Sequence, residues 1–272
     1  MAGRIKKYFI FAKSGVQTTF AYRGAVFLWF LGGLVNAVVM CLLWWAIYKF
    51  SPQSAIAGYT LPQMMMYMIL SAIIGEVTFS DTMSEISYDV HEGLIGMRLM
   101  KPVNYRAQLG FTAVGSFAAR MAIIGIPMIV AGTLLSCFAF GLTGIVWYNV
   151  LLSIVAIFLT MLFTDSLCFL FGQIAFKTHA MFGVSTILST VTMFLSGAMI
   201  PLALFPAWAQ NVLAFTPFPS IMSMPIQLFL GKLGGMETLQ AFGISLAWLV
   251  FLNLLGHALY KLSVRHVVVF GG

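Results

Sequence analysis

Residues 25–48 read AVFLWFLGGLVNAVVMCLLWWAIY, an unbroken run without Asp, Glu, Lys, Arg or His. A helix of about 20 apolar residues crosses the roughly 30 Å hydrocarbon layer of a bilayer, so this run predicts a transmembrane helix. It is also too long for the apolar core of a cleavable signal peptide and lacks a convincing cleavage site. The whole chain points the same way. Of its 272 residues, 61% are hydrophobic and 8% are charged, against roughly 25% charged in an ordinary soluble domain. A soluble chain this apolar could not cover its own surface, whereas in lipid the apolar side chains can face outward.

Reading outward from that run, the same criterion predicts further spans at 62–80, 108–135, 147–174, 180–200 and 238–260. The expected fold is an all-α integral membrane domain over residues 1–272 with six transmembrane helices. Residues 1–24 are no span, because Arg4, Lys6, Lys7, Lys13 and Arg23 interrupt them. Ile5, Tyr8, Phe9, Ala12, Val16 and Phe20 recur at three- and four-residue steps. That stripe predicts an amphipathic helix in the headgroup region, its lysines toward anionic lipid. Turns are expected around Lys49–Gly58 and at Gly141, Thr143 and Gly144.

The charge of +7 is distributed around the spans. With the N-terminus in the cytoplasm, eleven Lys and Arg fall on the inner side: five before 24, then Arg98, Lys101, Arg106, Lys177, Lys261 and Arg265. Only Lys49 and Lys232 fall outside, and Arg120 lies within a span. This positive-inside bias predicts cytoplasmic termini in a multi-pass cell-membrane protein. No basic face or recognition module suggests nucleic acid.

Two segments interrupt the spans. Residues 84–106, SEISYDVHEGLIGMRLMKPVNYR, form the largest polar insertion. Glu85, Asp89 and Glu92 follow an i, i+4, i+7 pattern and share one face of a short helix. Gly93 and Gly96 loosen its end, and Pro102 stops helix from running on into the next span. The acidic face with Arg98 and Lys101 is either a docking surface or a solvated loop. Residues 201–237 contain Pro201, Pro206, Pro217, Pro219 and Pro225, which forbid one continuous helix. With Phe205, Trp208, Phe215 and Phe218 the segment is too apolar for a free loop. It predicts short re-entrant helices at the outer end, either a gate or a seal.

Ionisable residues inside spans are candidates for function. Glu76, Arg120 and Asp165 are such candidates, and an Arg120 pair with Asp165 or Glu76 is expected. Enzyme readings fail one by one. His91-Glu92 lacks the second histidine of a zinc-protease motif, since position 95 is Ile. Ser196 and His257 fall at opposite ends of their spans. Cys41, Cys137 and Cys168 show no paired spacing and read as small apolar side chains. No GxxxxGK[ST] occurs, so the chain holds no nucleotide through a P-loop.

The order of these features, with E-x6-EGLIGMRLMKPVNY at 85–105 and SGAMIPLALFPAWAQNVLAFTPF at 196–218, resembles the membrane-spanning permeases of type-2 ABC transporters. The resemblance covers essentially the whole chain, including its VVFGG ending. It implies a coupling helix within 85–102 that contacts the ATPase through Glu85, Asp89, Glu92, Gly93, Arg98, Lys101 and Pro102. Lys101 stands where the family often has arginine. It implies a connecting helix at 1–23 and an outer gate with Pro201, Phe205, Pro206, Trp208, Pro217 and Phe218. It further implies partners: two ABC ATPase subunits carrying ATP and Mg, and a second permease, identical or related. This chain itself would bind no cofactor or metal. The expected activity is export of an amphipathic substrate, with an ion-coupled transporter or channel as the alternative.

Overall fold

The computed structural model describes residues 2–140 and 146–264, with side chains described from residue 6 onward except at 136, 139 and 140. The turn at Gly141, Thr143 and Gly144 lies outside the described residues, as do Arg265, the 268–272 ending and the side chains of Arg4 and Ile5.

The chain begins with helices α1 (Ala2–Ala21) and α2 (Arg23–Phe50). The expected turn after them is a small hairpin, β1 (Ala55–Ile56) and β2 (Tyr59–Thr60). Its two-residue loop, Ala57 and Gly58, has positive φ at both positions (48° and 80°). That backbone matches the twist of a tight hairpin, and Gly58 adopts it without strain. Helix α3 (Leu61–Val77) starts at once, with the Thr60 N–H donating to Gln63 Oε1 at 3.2 Å. After a short link come α4 (Thr82–His91) and α5 (Ile95–Met100), separated by Gly93 at φ 69°. A left-handed glycine here closes α4 and lets the chain reverse into α5.

Next come α6 (Tyr105–Arg120), a π turn at Met121–Gly125, and α7 (Ile126–Phe140). Asn104 caps α6, its Oδ1 accepting the Ala107 N–H at 2.9 Å. The cap starts this span three residues before the expected 108 and draws Arg106 into its first turn. Then follow α8 (Trp147–Gly172), α9 (Met181–Leu195), α10 (Ala207–Ala214), α11 (Ser223–Phe229) and α12 (Gly235–Val264). The proline-rich segment is broken into short helices, as its prolines require.

Among the described residues, five helical stretches are long and apolar enough to span a bilayer: Arg23–Phe50, Leu61–His91, Tyr105–Leu135, Trp147–Phe176 and Gly235–Val264. The sixth expected span holds the 15-residue α9, about 22 Å long at 1.5 Å per residue. The all-α membrane architecture read from the sequence is therefore the one observed.

The core sits on α3, whose Met64, Met66, Tyr67, Leu70 and Ile74 are fully buried. Around it pack α2, α6, the π turn, α7 and α11. Tyr67 Oη donates to the Gly197 carbonyl at 2.8 Å and Ser71 Oγ to that of Ala198 at 2.8 Å, tying α3 to the end of α9. The bundle has two distinct ends. Helix α4 packs on the last turns of α8, where Met83 and Ile86 meet Gly172. Helix α11 packs on its early turns, with Ser153 Oγ donating to the Pro225 carbonyl at 2.8 Å. The hairpin belongs to the α11 end, because Lys232 Nζ donates to the Gly58 carbonyl and lies 4.3 Å from the Tyr59 ring. Burial there pushes the Tyr59 phenol up to about 12 and lowers the Lys232 ammonium.

Helix α1 runs alongside α6 at very short range. A Cβ at Gly115 would stand 1.9 Å from the Ala12 carbonyl oxygen, and one at Gly15 would stand 2.2 Å from that of Thr112. Only glycine allows this approach. Small residues at a crossing are the usual way membrane helices gain contact without a hydrophobic driving force. The start of α1 is fixed too: Lys7 Nζ donates to the Pro102 carbonyl at 2.7 Å, and Tyr8 Oη accepts the Asn104 N–H at 3.0 Å.

Candidate functional site

The embedded charges come first, since lipid or a packed core gives them no water. Asp165 on α8 is 2% exposed. Its Oδ1 accepts hydrogen bonds from Ser80 Oγ at 3.1 Å and from Thr82 Oγ1, and its Oδ2 accepts from Arg106. The other arm of the Arg106 guanidinium donates to Ser166 Oγ and to Asn253 Oδ1, both at 3.3 Å. Its carbon lies 4.6 Å from the Phe169 ring centre. One carboxylate thus joins the α3–α4 link, α4, α6, α8 and, through Arg106, α12. A buried ion pair is tolerated when further hydrogen bonds surround it, and here Ser80 and Thr82 supply them to Asp165, and Ser166 and Asn253 to Arg106.

The expected partnership of Arg120 with Asp165 or Glu76 is not formed. Arg120 instead donates to the Phe79 carbonyl and to Asp81 Oδ2, the latter at 3.0 Å. Asp81 follows the expected span 62–80 and sits at the start of α4, within reach of Arg120 at the end of α6. Asp165 takes Arg106, which looked like a loop residue. The exchange has a simple cause: the helical stretches begin and end closer to the loop than hydropathy shows, so loop-adjacent charges supply the embedded partners.

The acidic face of α4 is likewise rearranged. Asp89 is fully buried, held by Arg98 Nε at 3.2 Å and by Tyr105 Oη at 2.8 Å. Glu85 is half-buried and lies 3.8 Å from Arg98. The triad Glu85, Asp89, Arg98 therefore folds α5 back against α4 and α6 instead of pointing at solvent. Glu92, Gly93, Lys101 and Pro102 are exposed. Between them Tyr88, Met97 and Met100 project outward, Met100 at 79% exposure. The outward surface of this helix pair is apolar at its centre with charge at its edges. Of the three acids expected on one helix face, only Glu85 and Asp89 turn inward toward Arg98, while Glu92 follows the last turn of α4 and is exposed. The signal available was Ile86 and Val90 flanking the acids, together with a lone Arg98 one helix away.

At the opposite end, Pro201 is buried, and Phe205 packs edge-on against Phe194 with ring centres 5.3 Å apart. Trp208 is 72% exposed. Pro217 begins the turn that leads Phe218 into a cluster with Phe163, Leu167, Ile221 and Leu252.

Glu76 on α3 differs from the other embedded charges. It forms no hydrogen bond and no ion pair within 4 Å among the described residues. It borders two spaces. One is an apolar groove of about 540 Å³ between α2, α3 and α7. The other is a cavity of about 360 Å³ bounded by Thr18, Asp81, Ser116 and Arg120. Among the described residues there is no group of three or more His, Cys, Asp or Glu arranged to hold a metal ion.

An all-helical bundle with a folded polar segment at one end and large apolar faces is the form of a membrane transport subunit. A profile of the ABC-2 family transporter proteins matches residues 34–269, and the chain belongs to that family. It is a permease subunit of an ABC transporter, a multi-pass membrane protein, and members of the family work with ATPase subunits. No curated protein matches the chain.

Proposed function

We propose that this chain forms the translocation pathway of an ABC exporter for an amphipathic or hydrophobic substrate, driven by separate ATPase chains that carry ATP and Mg. The ATPase engages the outward surface of α4 and α5 on the cytoplasmic side, where both termini also lie. The observation that carries this reading is the rigid mounting of that helix pair. Its outer surface offers Tyr88, Met97 and Met100 to a partner. Its inner surface is locked to the bundle through Asp89 and, at the first residue of α4, through Thr82 and Asp165. A push on α5 is therefore delivered to α8 and α12 rather than absorbed by a loop.

A second permease, identical or related, and lipid cover the apolar faces of α2, α9 and α12. The segment 201–231 closes the far end, with Phe205, Pro206 and Trp208 as its moving parts. The test is co-purification of the full chain with its ATPase, followed by ATP-dependent transport in vesicles. Met97→Asp with Met100→Asp is expected to abolish both while leaving the permease folded. An unchanged complex and unchanged transport in that variant would refute the assignment.

A further inference from the structure

Three embedded ionisable residues were recognised in the sequence, and the fold treats them unequally. Asp165 and Arg120 are engaged by protein groups on each side. Glu76 is left with a carboxylate bordering open space. The groove it borders is lined by apolar side chains, among them Phe30, Trp45, Ile69 and Met128, and among the described residues Glu76 is the only charged one in that lining. Gly33 of α2 lines the same groove beside the carboxylate, and even a Cβ there would stand 4.0 Å from Oε2, at ordinary contact distance. A volume of about 540 Å³ lies in the range of small-molecule sites, which are mostly apolar with a few placed polar groups.

Charge complementarity identifies the occupant. An ionised carboxylate in an apolar site is costly unless a cation meets it. Arg120 borders the adjoining 360 Å³ cavity, but its guanidinium is already engaged by Asp81 and Phe79. An anionic guest would face Glu76 with no free cation in the groove. A neutral guest would leave the carboxylate without a partner. We infer that the groove between α2, α3 and α7 binds a lipophilic cation, an ammonium or phosphonium centre on an apolar body, with Glu76 opposite the charge and the aromatic side chains against the body. This inference rests on the exporter reading above and narrows its substrate class.

The test measures equilibrium binding to the full chain in phosphatidylcholine nanodiscs without nucleotide. The probe is tetraphenylphosphonium, and the comparison is tetraphenylborate, an anion of the same shape. The expected result is saturable phosphonium binding, weakened at least about tenfold by Glu76→Gln and kept within about threefold by Glu76→Asp. Borate should bind wild type at least about tenfold more weakly than phosphonium. Ala37→Phe, which narrows the groove and keeps the carboxylate, should also remove phosphonium binding. Equal binding of the two ions, no saturable binding, or full binding to Glu76→Gln would each overturn the inference. Failure of the exporter reading would show separately, as loss of ATPase association, which Glu76→Gln should leave unchanged.

Discussion

Asp165 and Glu76 are two carboxylates of the same bundle, each on a helix read as a membrane span, and they do opposite things. Asp165 is enclosed by Ser80, Thr82 and Arg106 and holds helices together. Glu76 stands at the edge of a groove with no ion-pair partner within 4 Å among the described residues. The difference teaches that an embedded charge is not a functional site by default. Its neighbours decide, and the deciding neighbours lie on other helices.

The largest effect expected from breaking this contrast is at Asp165. Asp165→Ala leaves Arg106 without its counter-charge, at a side-chain exposure of 19%. Removing one partner of a buried pair costs about 3–5 kcal/mol. Thermal unfolding of the detergent-solubilised chain should register that loss. Replacing both partners by apolar residues, Arg106→Met with Asp165→Leu, should recover much of it. If the double variant is as unstable as the single one, the tie is more than a charge pair.

A smaller loss is expected where α1 meets α6. Gly115→Val places side-chain atoms against the Ala12 backbone and should cost about 1–3 kcal/mol by overpacking. Because α1 also contributes Thr18 and Thr19 to the cavity behind Glu76, limited proteolysis should show residues 1–22 cut earlier in this variant. Unchanged cleavage would mean that α1 is held elsewhere.

Next come Met97→Asp and Met100→Asp on the exposed side of α5. Their effect on folding should stay within about 0.5 kcal/mol, as for ordinary surface changes. ATPase association should weaken at least tenfold, about 1.4 kcal/mol, read by titration of the solubilised permease. The smallest stability effect is expected at Glu76→Gln, within about 0.5 kcal/mol by the same unfolding measurement. A loss there comparable to Asp165→Ala would erase the distinction between the two carboxylates.

Much of the fold was legible because lipid imposes a length and a polarity on every span. The run 25–48 falls wholly within α2, Pro102 lies just past the end of α5, and Pro201, Pro206 and Pro217 stand at breaks between short helices, with Pro225 in the first turn of α11. Burial was less legible. Helix α2 is the most apolar of the five long stretches, yet its buried residues are only Trp44 and Tyr48. The less apolar α3 is the centre of the core. In lipid, hydropathy marks what enters the membrane and not what packs inside. The charge pairs were legible only in part. Asp165 needed a cation, but Arg106 was counted in a loop because hydropathy begins that span at 108. The cap at Asn104 was the local sign that the helix starts earlier. The short approach of Gly15 and Gly115 joins helices about a hundred residues apart in sequence, and no local pattern shows which small residues will meet.

On the proposed function, α4 and α5 are where an ATPase takes hold of this permease. The most direct measurement is photocrosslinking of the assembled complex, with benzoylphenylalanine placed singly at position 97 or at position 147. Both native side chains are exposed, and they sit at opposite ends of the bundle. The account predicts a crosslink to the ATPase from position 97 and none from 147. A crosslink from 147, or none from 97 in an intact complex, would contradict it.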